Sequence, residues 1–511
     1  MEAENSFKPG VLSLKRAKLN FSKTLKKAFF FEHLYNPIGI GFLVLFAAII
    51  AIGTVKLGVI FGSGLIAITI GLPALYCIVA YPRFGILVLL IMAFMLFYIG
   101  RLGVSGPIGT VIDLIQTLLI LGTLLSLRRN RDWEVLKGPV STMILIWISY
   151  NIIQVANPSA VSRLAWVYTI RTVAIVMLSY FVFVYNIKSL KFVKIIFKVW
   201  LAMSVYAALY ACKQEYIGFS DAEEAYLHSD PEIAGLLFIA GHWRKFSIFS
   251  DPVSFAYNIT MSGIFCIALM AGKYVTWKKL VLGALTLLFL VSSLYSGTRG
   301  ANVLVPVALI LFAILNYNKK VLLFSCIAAV FFVFLINVPT GDPNLLRFQT
   351  AFAPNDDPSY KLRKFNQKRI QPYILSHPIG FGLGAVGGWG KKFGDGGIVS
   401  SFQPDSGYIR VAVELGPIGL IIFCTLMFTV MKTGIDNFYI IKDPELKNYS
   451  LAVVMIIFAY NIANFPQEAL VQFPSNVLFS LDMALLTILR RLDKEKQEKE
   501  AAQLKILNQN L

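Results

Sequence analysis

The sequence has few charged residues. Only 15% of its 511 residues are Asp, Glu, Lys or Arg, whereas soluble domains carry about 25%. Residues of the AVILMFWYC set make up 57% of the chain, and the mean hydropathy is +0.68. This composition excludes a soluble enzyme, a disordered chain and a fibrous protein, and it predicts a polytopic membrane protein.

Cysteine is also scarce, with five residues in the whole chain. They lie in or beside apolar stretches, and no two of them have the CxxC spacing of a zinc site or a redox pair. The pattern indicates neither a zinc site nor a disulfide framework, and we interpret the cysteines as small packing residues. They are Cys77, Cys212, Cys266, Cys326 and Cys424.

Long apolar runs recur along most of the chain. A membrane-spanning helix needs about 20 mostly apolar residues, and this criterion yields about 14 candidates. We therefore predict an all-α transmembrane helical bundle of about 12–14 spans with a large extracytoplasmic loop. The last two candidates are also compatible with one helical hairpin. The predicted spans are 37–55, 58–80, 85–100, 107–126, 139–156, 165–186, 192–212, 254–272, 279–296, 301–316, 320–338, 408–432, 450–466 and 471–489.

The formal net charge of +19 would suggest nucleic acid in a soluble chain, but here most cations fall in short loops and set orientation instead. Placing both termini in the cytoplasm puts every strongly cationic short loop inside, as the positive-inside rule requires. Residues 1–36 are then a retained cytoplasmic basic arm, too charged for a cleavable signal peptide, and residues 490–511 are a cytoplasmic tail. The cationic loops are 126–138, 186–194, 272–280, 316–320 and 490–496.

Two long segments fall on the opposite, outer side. The helices of 37–338 are interrupted by an acidic external loop at 213–253, and residues 339–407 form the large, basic and Gly-rich extracytoplasmic loop that precedes the helices of 408–489. No internal repeat with matching broken helices is visible, which argues modestly against a secondary transporter.

The large loop contains a candidate basic amphipathic helix at 360–374, bent at Pro372. Its cations include Arg363 and Arg369. One interpretation is contact with lipid head groups; the other is an anion site for a phosphorylated lipid, because guanidinium groups present a fixed fork of donors to phosphate oxygens. The sequence HPIGFGLG (377–384) follows it, with alternate glycines that permit tight turns or close approach.

Three further polar features lie next to predicted spans. Arg299, in YSGTRGA (295–301), is placed at the outer end of the ninth span, where it either snorkels to the interface or serves a site. Asp405 precedes the twelfth span and is either a helix N-cap or a functional carboxylate. Glu414 lies one or two turns inside that span, where pairing with Arg410 is the structural alternative.

Two charges lie within predicted spans, Asp113 in the fourth and Arg171 in the sixth. Each costs roughly 2.5 to 3.5 kcal/mol on insertion scales. Each therefore needs a polar partner or a wet cavity, and mutual pairing is the structural interpretation.

In order along the chain, these pieces resemble the O-antigen ligase and O-antigen polymerase superfamily of bacterial membrane proteins. FSDPVSFAYNI (249–259) is similar to the family's aromatic-x-Asn/Asp-Pro segment, SGTRGA (296–301) to its Ser-x-x-Arg-Gly signature, and Arg363 followed by HPIGFG (377–382) to its Arg and Pro-x-x-Gly-x-Gly loop. The last piece runs from Asp405 to Gly416. There the ligase branch has a histidine where this chain has Asp405, which favours the polymerase branch without excluding the ligase.

The resemblance covers roughly residues 250–435 and implies a glycosyltransferase at the outer face of the bacterial cytoplasmic membrane. Such an enzyme moves a glycan from an undecaprenyl-diphosphate carrier to a hydroxyl of another repeat unit or of lipid A core. It also implies that the enzyme needs neither a metal nor another cofactor and does not bind nucleic acid. A flippase and a chain-length regulator are the possible partners that it implies. The external loops contain no DxD motif that would suggest nucleotide-sugar binding. The pair Asp356–Asp357 is expected to be solvated.

We accordingly expect Arg299, Arg363 and Arg369 to bind the diphosphate, with Arg347 and Arg171 as further candidates. Asp405 or Glu414 is the expected proton acceptor. The rival function is a polysaccharide or lipid-linked oligosaccharide transporter, which predicts charges spread along a central path. A non-catalytic scaffold is the third possibility, and it does not require arginines and carboxylates gathered at one interface.

Overall fold

The computed structural model describes residues 37–57, 59–102, 108–239, 241–317, 319–352 and 358–509. The predicted basic arm at 1–36 and the pair Asp356–Asp357 lie outside the described residues. The chain divides into two compact units, residues 1–76 and 77–511. The helix α1 (Pro37–Leu57) and most of α2 (Val59–Ala80) fall in the first unit, and all the features discussed below belong to the second.

The predicted all-α membrane bundle is confirmed. Ten helices in the described part of the chain are long and apolar enough to cross a membrane, and every predicted span is matched by a helix. The long helices of the second unit are α3 (Pro82–Arg101), α4 (Ile108–Asn130), α5 (Pro139–Ile153), α6 (Arg163–Asn186), α7 (Leu190–Tyr216), α10 (Pro252–Met270), α11 (Thr276–Leu294), α12 (Arg299–Leu315), α13 (Lys319–Asn337), α17 (Gly407–Ile440), α18 (Pro444–Ala463) and α19 (Ser475–Gln509).

The short elements lie in the two loops that we predicted to be external, and we name them, after that prediction only, the first and the second external loop. The first loop contains α8 (Asp221–Leu227), α9 (Pro231–Leu237) and an antiparallel pair of two-residue strands, β1 (Phe238–Ile239) and β2 (His242–Trp243). The second contains α14 (Pro343–Thr350), α15 (Pro358–Ser376) and α16 (Gly387–Phe393). The predicted amphipathic helix is α15, with Pro372 inside it.

Two helices form the centre of the bundle. The most apolar stretch of α10 is 89% buried and that of α18 is 78% buried, whereas that of α13 is only 6% buried. The hydroxyls of Tyr257 and Thr260 have no partner among the described residues, but other buried polar groups on α10 are hydrogen-bonded within the bundle. The Trp200 indole donates to Ser262 Oγ at 3.1 Å, and Ser262 Oγ donates to the Asn258 carbonyl at 3.0 Å.

The predicted pairing of the two intramembrane charges is confirmed. Arg171 Nη1 lies 3.1 Å from Asp113 Oδ2, which joins α6 to α4. Each charge thereby compensates the desolvation cost of the other.

The first external loop has a small core of its own and is attached to the bundle beneath it. Leu227, Leu237 and Phe246 are buried together. The buried Glu223 carboxylate accepts hydrogen bonds from Ser220 N, Lys213 Nζ and Gln214 Nε2. Burial raises the pKa of Glu223, but these hydrogen bonds outweigh burial and hold that pKa below its usual range. The carboxylate therefore stays charged and keeps the loop on the end of α7.

Two long C-terminal helices depart from simple spans. Helix α17 has a break at Gly416, which has φ +71° and ψ −179° and precedes Pro417. Helix α19 continues without interruption through residue 490, so the predicted cytoplasmic tail extends the last span as the same helix.

Candidate functional site

A cavity of about 720 Å³ opens where the two external loops meet the ends of α10, α12 and α18. Its lining combines basic, polar and apolar side chains from segments far apart in sequence. The residues are Gly235, Leu236, Ile239, Arg244, Val253, Tyr257, Gly297, Thr298, Arg299, Gly300, Val303, Leu304, Arg347, Thr350, Ala351, Tyr360, Leu362, Arg363, Asp405, Ile462, Phe465, Pro466 and Gln467.

Four arginines and one aspartate give this cavity its charge. Arg244 comes from the first external loop, Arg299 from the start of α12, and Arg347 and Arg363 from α14 and α15 of the second loop. Asp405 lies just before α17. The structure therefore brings together Arg299, Arg363 and Asp405 from the predicted set, together with Arg347, which we had ranked behind them.

Two of these arginines hold the turn that carries Arg299. Arg244 donates from Nε to the Ser296 carbonyl at 2.7 Å and from Nη2 to Thr298 Oγ1 at 3.0 Å. Arg347 donates from Nε to the Gly297 carbonyl at 2.5 Å. Gly297 has φ +59°, and a Cβ there would lie 2.8 Å from Arg347 Cδ. The Ser-Gly-Thr turn is thus fixed by one arginine from each external loop.

Burial and neighbouring positive charges both act on Arg244. Burial, followed by the positive charges of Arg347 and Arg299, lowers the pKa of Arg244 to about 10, while Asp251 opposes the shift. Bringing an anion with several charges into the cavity would relieve this repulsion.

Arg299 is the first residue of α12 and not, as predicted, the end of the preceding span. The start of a helix also presents backbone N–H groups that favour an anion. The next residue, Gly300, packs against the Tyr257 hydroxyl, to which a Cβ at position 300 would be only 2.5 Å away. The glycine lets α12 approach α10 at the mouth of the cavity.

Asp405 does not cap α17. The N-cap is Ser406, whose hydroxyl accepts from Ile409 N. The start of α17 is instead attached to the segment after α18, because Gly407 N donates to the Asn464 carbonyl at 3.0 Å. The Asp405 side chain is half-buried in the cavity wall and has no role as a helix cap.

Glu414 lies outside the cavity lining and inside the protein. The predicted pair with Arg410 is confirmed, with Nε to Oε1 at 3.1 Å, and Arg410 Nη1 contacts Glu468 Oε2 at 2.8 Å. Backbone N–H groups of Gly384 and Val386 also reach the Glu414 carboxylate. This buried network joins α17 to residues 377–386, here called the glycine loop, and to the segment after α18.

The glycines of HPIGFGLG serve close backbone packing. Gly380, Gly382 and Gly384 have φ of +75°, +89° and +81°. Phe381 N donates to the Val413 carbonyl at 3.0 Å, and Ile418 N donates to the Pro378 carbonyl at 3.3 Å. These bonds lie on either side of the break at Gly416 and satisfy backbone groups that the interrupted helix leaves free.

The two predicted arginines of helix α15 lie in different surroundings. Arg363 lines the cavity, whereas Arg369 is exposed and lies outside the lining. Ile370 packs into a buried cluster with Val386 and Val413. Leu362 and Phe365 are exposed on the same helix, which suits the predicted position near a lipid surface.

Sequence reasoning missed Arg244 and Tyr257. Arg244 lies in HWRKF, which carries no recognised motif, so only the folded loop places it in the cavity. Tyr257 lies within FSDPVSFAYNI, three residues beyond Ser254, and could have been selected as the polar residue one turn into a span. Among the described residues, no group of three His, Cys, Asp or Glu side chains has the arrangement of a metal site.

Comparison with known proteins finds similarity to a protein family and to a curated protein. Residues 284–424 match the sequence model of the family described as O-Antigen ligase. The O-antigen polymerase of Salmonella muenchen is 28% identical over 186 residues, which cover 34% of this chain and 43% of that protein. The predicted resemblance to the O-antigen ligase and polymerase superfamily is confirmed. Arg299, Arg347, Arg363 and Asp405 fall inside the family match, whereas Arg244 and Tyr257 precede it.

The glycine loop generates a prediction about folding. A Cβ at Gly380 would collide with the backbone of Glu414 and Gly416, whereas a Cβ at Gly388 would meet nothing within 4 Å. Gly380→Ala should destabilise the protein by roughly 2 kcal/mol or more and lower its thermal midpoint in detergent. Gly388→Ala is the matched control and should leave the midpoint unchanged. Equal midpoints for the two variants would contradict the packing role of the loop.

Proposed function

We propose that this protein is a membrane glycosyltransferase that polymerises or ligates undecaprenyl-diphosphate-linked oligosaccharide repeats. The observation that carries the proposal is the cavity in which Arg244, Arg299, Arg347 and Arg363 face Asp405. The superfamily match supports a role in polysaccharide assembly. The products would be O-antigen, capsule or exopolysaccharide.

A diphosphate fits the arginine part of the cavity. Its negative charge offsets the repulsion among the guanidinium groups, and arginine forms bidentate hydrogen bonds with phosphate oxygens. Arg299 adds the N-terminus of α12. Because Arg244 and Arg347 already hold the turn, the donors are positioned before the substrate arrives, which is the arrangement that stabilises charge developing on a leaving group.

The rest of the lining suits a lipid carrier. Val303, Leu304, Ile462 and Phe465 form apolar parts of the wall. Neighbouring α13 has almost no buried residues, which is expected of a helix that faces hydrocarbon. A charged head group and an apolar chain attached to it can therefore be accommodated side by side.

In the proposed reaction, an acceptor sugar hydroxyl attacks the anomeric carbon of the donor glycan. The hydroxyl proton passes to the Asp405 carboxylate, a new C–O glycosidic bond forms, and the bond between the anomeric carbon and the phosphate oxygen breaks. The electron pair leaves with undecaprenyl diphosphate, whose charge the arginines stabilise. The products are the lengthened glycan and the free lipid diphosphate.

Between the two predicted carboxylates we favour Asp405. It faces the cavity, whereas Glu414 accepts from Arg410 and from backbone N–H groups within the protein. We assign Glu414 a structural role and place Arg369 outside the substrate-binding site, because neither residue lines the cavity.

We further propose that the cavity faces the outside of the bacterial cytoplasmic membrane and that both termini are cytoplasmic. The two long loops that form the cavity precede the eighth and the twelfth predicted spans. With the N-terminus inside, even-numbered spans begin on the outer side of the membrane. The strongly cationic short loops then fall inside, as the positive-inside rule requires. Lipid A core or a second repeat unit would be the acceptor, and a flippase and a chain-length regulator remain expected partners.

The transporter alternative is supported less well. The arginines gather in one cavity at one end of the bundle, and the intramembrane pair Arg171–Asp113 is satisfied by itself. A transport path would instead place polar groups along the membrane normal.

A second prediction concerns Arg299. Arg299→Lys keeps the charge but loses the bidentate fork, so the rate of glycan transfer should fall by about a hundredfold, equivalent to ~2.7 kcal/mol. The measurement is polymer formation by purified protein in lipid with undecaprenyl-diphosphate repeat units. Lys391→Arg, an exchange of similar size on an exposed residue outside the cavity, is the control. Normal polymer from both Arg299→Lys and Arg299→Ala would remove Arg299 from the site.

A third prediction concerns Asp405 and the choice between polymerase and ligase. Asp405→Asn should leave single repeat units on the carrier, because the amide cannot accept the hydroxyl proton. Asp395→Asn, at an exposed carboxylate in the same loop, should behave like wild type. The assay contains repeat units alone, and then repeat units with lipid A core. We expect elongation without the core; transfer only in its presence would show a ligase.

A further inference from the structure

A second, smaller pocket of about 140 Å³ adjoins the arginine cavity. The two share Val253, Tyr257 and Gln467 in their walls. The other lining residues of the smaller pocket are Asp251, Ser254, Pro404, Glu468, Ala469, Gln472 and Ser475. It therefore extends the site away from the arginines, along the segment that follows α18.

The chemistry of this pocket differs from that of the cavity. Its described lining includes two carboxylates, two primary amides and three hydroxyls, and no Lys or Arg. Carboxylates would repel a diphosphate. They accept hydrogen bonds from hydroxyl groups, and amides both donate and accept. The groups present fit a neutral ligand that is rich in hydroxyls, and the volume has room for a single sugar ring.

Tyr257 lies in the wall that the smaller pocket shares with the arginine cavity, which we call the junction. Its side chain is 1% exposed, and its hydroxyl has no hydrogen-bond partner among the described residues. Arg363 and Asp251 both lie close enough to this hydroxyl to act on it electrostatically. A buried hydroxyl left without a partner costs about 1–3 kcal/mol. A bound ligand that reaches the junction would supply the missing hydrogen bond.

Glu468 adds a second acceptor that is not used within the protein. Its Oε2 receives Arg410 Nη1 at 2.8 Å, whereas its buried Oε1 has no partner among the described residues. Arg410 thereby fixes the carboxylate and leaves one oxygen for a ligand. Asp251, by contrast, is engaged as the N-cap of α10, since its Oδ1 accepts from Val253 N and Ser254 N.

We propose that this smaller pocket is the acceptor-sugar subsite and that the Tyr257 hydroxyl contacts the acceptor sugar. The inference rests on the proposed function. Pro404 lines the pocket and the adjacent Asp405 lines the cavity, so a hydroxyl of a sugar held in the pocket would lie on the Asp405 side of the site. The donor diphosphate would lie on the arginine side, and its anomeric carbon would face the junction.

The kinetic test compares Tyr257→Phe with Tyr460→Phe. Tyr460 is also fully buried with an unpartnered hydroxyl, but it lines neither space. With purified protein in lipid, Tyr257→Phe should raise the KM for the acceptor repeat unit about tenfold, as expected for the loss of one buried hydrogen bond. The Kd for undecaprenyl diphosphate should change by less than about twofold. Tyr460→Phe should change neither constant.

An equal rise in KM for the two tyrosine variants would overturn the proposal, as would a change in the diphosphate Kd alone. A second measurement decides the point even if no transfer activity is found. Gln472→Cys places a thiol at the exposed edge of the pocket. Its labelling by an impermeant maleimide is quantified by peptide mass spectrometry, so the native cysteines can remain.

Oligosaccharide released from the lipid-linked repeats of the native strain should protect Cys at position 472, and undecaprenyl diphosphate without sugar should not. Protection by the lipid diphosphate alone, or by neither probe, would contradict a sugar subsite. Protection by the oligosaccharide without any transfer activity would retain the subsite and reject the proposed function.

Discussion

The candidate site depends on the contact of two guanidinium groups with a single turn. Arg244 and Arg347 come from different external loops, yet they donate to adjacent carbonyls at Ser296 and Gly297. The turn fixes the start of α12 and therefore the position of Arg299. Because each loop contributes one of the two arginines, neither loop can move without disturbing the cavity. The positive charge that suits a diphosphate is thus also part of the structure that positions it.

A second constraint lies beneath the cavity, where α17 is broken at Gly416. The glycine loop satisfies the interrupted backbone through Phe381 and Pro378, and Glu414 joins this loop to Arg410 and Glu468. Asp405 and Glu468 both lie on segments held by these contacts. The glycine loop, whose sequence resembles a ligand-binding loop, therefore supports the part of the cavity wall that carries Asp405 and is not itself among the lining residues.

Much of the fold was predictable from the sequence, because a spanning helix in a bilayer is a long apolar run. The spans, the pairing of Asp113 with Arg171 and that of Glu414 with Arg410 followed from length, charge and helical spacing. The start of α12 at Arg299 did not, because Ser296, Gly297 and Thr298 are each compatible with a turn or with a helix N-cap and so do not fix the boundary. The association of Arg244 with the site was not predictable either, since it depends on how a loop distant in sequence folds back over the bundle.

The central claim is that the arginine cavity binds the diphosphate of an undecaprenyl-linked glycan. The most direct measurement is a cryo-electron microscopy structure of the protein in a lipid nanodisc with undecaprenyl diphosphate. The account predicts density for the two phosphates between Arg244, Arg299, Arg347 and Arg363, with the lipid chain running along the apolar wall toward α13. Phosphate density at another surface of the protein, with this cavity empty at saturating lipid, would contradict it.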